Sequence, residues 1–197
     1  LVRRLGSQAV LEGYYLRLVE EDVEPGDFDF HTLGLRSQQE YNGWLGELEA
    51  AVQFGSYGAI EHTAGMYTIG VGRRFCCLPG EPIFWVYYDW ASGDRTLGNG
   101  FHHLMPDSHQ YLGWMDLFGR RNIEDLNFHL LVHPHRDWTV RLAWHIFHRQ
   151  NPLDVPYGVD MTPLVGSPGG SGDYGQELDV VLQWAIRPRA EMSFGYS

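Results

Sequence analysis

An all-β chain, folded as an antiparallel up-and-down meander of about eight to nine long strands, is what the sequence predicts, on three observations. Apolar side chains recur at every second position in several runs. Leu48, Ala50, Val52 and Phe54 form one, and Leu178, Val180, Leu182, Trp184 and Ile186 another, which is the period of a pleated strand. Glycine, proline, asparagine and aspartate cluster between the runs, where turns are needed. No stretch carries the apolar stripe of an amphipathic helix of ordinary length.

The first run, residues 8–19, is aromatic and β-branched, although Glu12 shares a face with Val10, Tyr14 and Leu16. An acidic loop from Glu20 to Phe30 follows. Thr32 to Gln39 places Leu33 and Leu35 on one face and Gly34, Arg36 and Gln38 on the other, and Tyr41-Asn42-Gly43 signals a tight hairpin turn. Trp44 to Phe54 alternates cleanly, with Glu47, Glu49 and Gln53 opposite its apolar side. Ala59 to Val71 alternates less clearly, and glycine and proline between Gly72 and Pro82 separate it from Ile83 to Trp90. A connection of roughly thirty residues then reaches position 121, against a usual median of about 4–6. Glu124 to Val132 resumes the alternation, His133 to Asp137 reads as a turn, and Trp138, Val140, Leu142, Trp144 and Ile146 form an unbroken apolar face. A second long loop, Asn151 to Tyr174, leads to Glu177–Arg187, and Ala190 to Ser197 begins a ninth strand.

Composition narrows the class. A formal net charge of −11 argues against nucleic acid as a partner, because a phosphate backbone selects a basic face. There is no apolar run long enough for a membrane-spanning helix. The opening residues lack the pattern of an export signal, and the chain does not begin with methionine, so residues 1–197 are expected to be a single domain that is one piece of a longer protein. Cys76 and Cys77 are adjacent, a spacing unsuited to a disulfide, and are expected to be an unpaired turn feature.

Two regularities distinguish kinds of β protein. The runs are about nine to thirteen residues long, more than the usual five or six but suited to crossing a bilayer at a tilt. Long links at 20–31, 91–121 and 149–174 alternate with short ones at 40–43, 133–137 and 187–190, which puts the long links at one end of a meander, as in transmembrane outer-membrane β-barrels. The short link at 55–58 breaks the rule. Trp44, Trp90 and Trp138 near strand ends suit an interfacial belt. A soluble β-barrel that binds a ligand in its interior accounts for the same alternation with the faces exchanged, and it predicts an apolar interior.

The residues also carry a resemblance. Tyr88-Asp89, Ala91-Ser92-Gly93-Asp94, then Phe101, Leu104, Pro106, His109 and Tyr111, then Gly113-Trp114-Met115-Asp116-Leu117, Asn122-Ile123, Asp125-Leu126 and Gly175 to Asp179 resemble the alginate export family of outer-membrane β-barrels. The resemblance implies a bacterial outer-membrane location, with this chain as the C-terminal portion of the barrel and the signal peptide and earlier strands outside it. It further implies passive export or diffusion of a hydrophilic solute or anionic polysaccharide, contact with outer-membrane lipid and lipopolysaccharide, and periplasmic export partners. Ser92, Gly93, Asp94, His109, Trp114, Asp116 and Asn122 are the motif residues of its long loop.

With apolar residues toward lipid, the pore-lining candidates are Arg17, Arg36, Glu47, Glu49, Asp125, His129, Arg141, Glu177 and Asp179. Hairpin registers place Arg36 near Glu47 and His129 near Arg141. Both signs of charge are present, so bracing of a wet wall and selection of a polymer are both open. Neither metal nor other cofactor is expected: the histidines lack ligand spacing, and the acidic run Glu20 to Asp27 lacks the ligand positions of a calcium loop. No nucleophile elbow or placed carboxylate pair points to an enzyme. Whether the 91–121 loop folds into the lumen as a gate is left open by the sequence; its length near a pore mouth makes gating a hypothesis.

Overall fold

A computed structural model describes residues 2–4, 9–21, 27–94, 98–105, 109, 111–164, 168–187 and 189–197. Most of the acidic run Glu20 to Asp27, and Pro106, lie outside the described residues. The described residues form one sheet of ten antiparallel strands: β1 (Val2–Arg4), β2 (Ala9–Glu20), β3 (Phe28–Tyr41), β4 (Trp44–Tyr57), β5 (Ile60–Arg74), β6 (Ile83–Ala91), β7 (Ile123–His135), β8 (Trp138–Arg149), β9 (Asp173–Arg187) and β10 (Ala190–Tyr196). Every strand pairs with its neighbours in sequence, and the sheet is open, with β1 and β10 as its edges.

Strand positions follow the expected alternation, with the runs extended. Phe28 to His31 belongs to β3 rather than to the preceding loop, paired against Tyr57 to Phe54 of β4. The link expected at 55–58 is a two-residue turn at Gly58-Ala59, because β4 runs on to Tyr57. The turn at Asn42-Gly43 has positive φ at both positions, the geometry that matches the twist of a hairpin. Cys76 and Cys77 are free and exposed in the turn between β5 and β6.

The two faces of the sheet have opposite chemistry, and the polarity is the reverse of a soluble protein. In β9, Leu178 is 61% exposed while Glu177 and Asp179 on either side are 4% and 3% exposed. Leu33, Leu35, Leu48, Val52, Ile69, Val71, Phe84, Leu142 and Trp144 are likewise bare. An apolar interior, the requirement of the soluble alternative, is not what the sheet encloses. Large apolar side chains bare to solvent over six strands are the lipid-facing wall of a membrane β-structure. Aromatic pairs flank the band: Trp138 stacks on Trp184 toward the short-turn end, Trp44 lies there under Arg73, and Tyr67 stacks on Trp90 toward the long-loop end.

The covered face is a trough. Strands β3 and β8 are five positions apart, about 24 Å in a flat sheet at ~4.8 Å per strand. Arg36 of β3 and Arg141 of β8 nevertheless line one cavity of about 250 Å³, so the sheet curls around it. A small apolar cluster at the long-loop end, built from Ala51, Ala64, Met66, Ala91, Ile123 and Phe147, receives Phe101 and Leu112 from the connection between β6 and β7.

A candidate solute path lined by charge and crossed by a loop

The described residues of the long connection between β6 and β7 lie inside the trough, and four sets of contacts hold them. Gln53, 1% exposed in β4, uses its side-chain amide as a strand edge: Nε2 donates to the His102 carbonyl at 2.8 Å, and Oε1 accepts from the His102 amide at 2.8 Å. Arg120 donates to Asp89 of β6 at 2.9 Å, with both side chains buried. Beyond them, the amides of Trp114 and Met115 donate to Asp179 and Glu177 of β9 at 3.1 and 2.8 Å. Tyr111, finally, reaches Arg36 of β3 at 3.4 Å. The segment therefore crosses the trough from β3 and β4 to β9.

The inward carboxylates form a ladder that needs these partners. Asp89 faces Asp125 in register, and two like charges that close, out of water, require counter-charge and donors. Thr68, Arg120 and Asn127 donate to Asp89. Asn127 and His145 donate to Asp125, at 2.8 and 2.7 Å. Closer to the short-turn end Arg36 binds Glu47 at 2.6 Å, and Glu49 accepts from Tyr14 at 2.9 Å.

Among the sequence candidates, Arg36, Glu47, Glu49, Asp125, His129, Arg141, Glu177 and Asp179 share this face. The register sets Arg36 opposite Glu49, and its side chain reaches diagonally to Glu47; His129 and Arg141 line the same cavity, also one step off register. Arg17 is a correction. It lies on the outer face with Tyr15, half exposed, and binds Asp29 at 2.9 Å. The cause is Tyr14, whose ring packs flat over Gly34 on the inside and turns its neighbours in alternation outward.

The motif residues separate into two knots. Ser92 donates to the Asn99 carbonyl and accepts from the Gly65 amide. Asp94 accepts from Asn99, Gly100 and Arg121, while Asp154 of the next long loop accepts from the Asp94 amide. Gly93 leaves no room for a Cβ against Asn122. His109 and Asp116 form the second knot, an amide-to-carboxylate bond of 2.9 Å with His109 stacked on Trp114. Sequence reasoning missed Gln53, Asp89, Arg120 and the inward rings of Trp85 and Tyr87. The detectable signal for those rings was Gly70 and Gly72 directly opposite them in the ladder. Among the described residues no group of three or more His, Cys, Asp or Glu side chains is placed to hold a metal ion.

The loop histidines give the docking a pH dependence. Burial first, then Arg121 and His62, pushes His102 down to about 4; burial, then Arg120 and His102, does the same for His103. Both dock neutral, so docking is fully present above their ordinary value near 6.5 and weakens as pH falls toward 4. Amides 101–103 are expected to lose exchange protection between pH 7 and 5, after correction for intrinsic rates. A His102→Gln/His103→Gln variant should flatten that dependence.

No curated protein matches the sequence. The outward apolar band and the inward charge are what a membrane wall with a hydrated interior requires. The family model for alginate export matches residues 2–197, and the chain belongs to that family of outer-membrane β-barrel transport proteins.

Proposed function

We propose that the trough is the wall of a channel through which a hydrophilic solute, most fittingly an anionic polysaccharide, crosses the outer membrane by diffusion. The observation that carries this reading is the polarity of β9, where Leu178 is bare and Glu177 and Asp179 are enclosed. A wall built this way contacts lipid and lipopolysaccharide outside and keeps water inside. Arg141, which makes no ion pair among the described residues, supplies the attraction for anions on one side of the cavity, and Arg36, held by Glu47, adds to it on the other; Asp89 has Arg120 as its counter-charge and Asp125 accepts from His145.

Single-channel recording of the full-length protein in a planar bilayer tests this. A salt gradient is expected to give a reversal potential of anion preference, and an acidic polysaccharide on one side to block the current. Arg36→Ala and Arg141→Ala should each shift the preference toward cations, while Arg17→Ala, on the outer face, leaves it unchanged. Pores with neither preference nor block would make this a general diffusion channel. A protein that never inserts would overturn the channel itself.

A further inference from the structure

We propose that Trp85 and Tyr87 form a stacking platform on which single pyranose rings of the passing polymer rest by their C–H faces. This rests on the channel reading above and adds a contact that charge alone does not supply.

Three observations lead to it. Trp85 and Tyr87 belong to β6 and project into the trough, the face on which an aqueous path is expected to carry polar side chains. Each ring lies flat over a glycine directly opposite on β5, Trp85 over Gly72 and Tyr87 over Gly70; a Cβ at Gly72 would sit 2.5 Å from the indole. The glycines leave room for the rings to lie close against the sheet, and both rings line the cavity, with His129 edge-on to Tyr87 and the Tyr87 hydroxyl donating to Glu47. The two rings are nearly parallel, 18° apart with centroids at 4.9 Å.

The surroundings fit a sugar acid. The cavity holds about 250 Å³, room for one ring and not for a coiled polymer. Polarised C–H groups of a pyranose face match the negative π face of an indole or phenol, while its edge carries hydroxyls and a carboxylate that need donors. Arg36 stands on one side of the platform and Arg141 on the other, and Arg141 makes no ion pair among the described residues. Asn127 and His129 lie next to the rings with further polar groups. A linear polyanion without rings engages the arginines and gains nothing from the platform.

That difference sets the experiment. Full-length protein in planar bilayers is titrated with a β-1,4-linked hexuronate hexamer and, separately, with a polyacrylate of similar charge, and a blocking constant is read for each. The ratio of the hexuronate to the polyacrylate constant is expected to rise about tenfold in Trp85→Leu, a loss of about 1.4 kcal/mol of ring-specific binding. Trp85→Phe, which keeps an aromatic face, should recover most of it. The polyacrylate block itself reports that each variant still forms a pore. An unchanged ratio in Trp85→Leu overturns the platform and leaves the channel standing. A wild-type pore blocked by neither probe overturns the platform together with the polysaccharide reading and leaves a general diffusion channel.

Discussion

Replacing Arg120 with alanine is expected to release the loop from the trough while the sheet stays folded. Asp89 would keep Thr68 and Asn127 but lose its only cationic partner among the described residues, with Asp125 directly across the ladder. Leaving one member of a buried ion pair uncompensated costs about 3–5 kcal/mol. The chain has a way to avoid that cost, because undocking residues 98–122 lets water reach Asp89, so the penalty appears as lost docking rather than lost strands. Single-channel conductance should rise, and exchange protection should vanish from the loop amides but not from β4 and β5. An Asp89→Asn/Arg120→Met double variant, which removes both charges, should dock better than Arg120→Ala alone. Wild-type conductance and wild-type loop protection in Arg120→Ala would remove this pair from any part in holding the loop.

Asn122→Ala is expected to loosen both long loops at once. Asn122 is fully buried at the end of the first loop, with φ of 52°, a region asparagine enters more readily than alanine. Its side chain donates to the Val155 carbonyl at 3.0 Å and accepts from the Asn151 amide at 2.7 Å, and the Tyr174 hydroxyl donates to its carbonyl. Two orphaned backbone groups and the backbone strain together cost about 2–4 kcal/mol. Limited proteolysis should then cut within 98–121 and within 151–172 with the same onset. Cutting in one loop only would mean that Asn122 does not couple them.

The strands were legible because alternation is a local property. Trp44 to Phe54 and Glu177 to Arg187 declare their two faces within a few residues, and the sheet uses those faces as written. Alternation fails where one aromatic ring replaces a polar inward residue. Tyr14 over Gly34 hid the true face of Arg17, and Trp85 and Tyr87 over Gly72 and Gly70 made Ile83 to Trp90 look apolar on both sides. Phe28 to Phe30 reads as the end of an acidic loop because Asp29 continues the carboxylate run from Glu20; in the strand that carboxylate lies on the outer face, bound to Arg17. The docking of the long loop lay beyond local pattern altogether. Gln53 and His102 are 49 residues apart, and Trp114 and Asp179 are 65, so no spacing within the sequence announces either pair.

Those separations have a consequence for the order of assembly. Because each strand pairs only with its sequence neighbours, the ladder can grow hairpin by hairpin from short-range closures. The crossing segment has one seat on β4 and another on β9, and the second does not exist until the ninth strand has joined. Its carboxylate partners thus remain hydrated during growth, and no charge is enclosed before its donor arrives. In pulse-labelled refolding, the amides of Trp114 and Met115 should become protected after those of the β4–β5 hairpin.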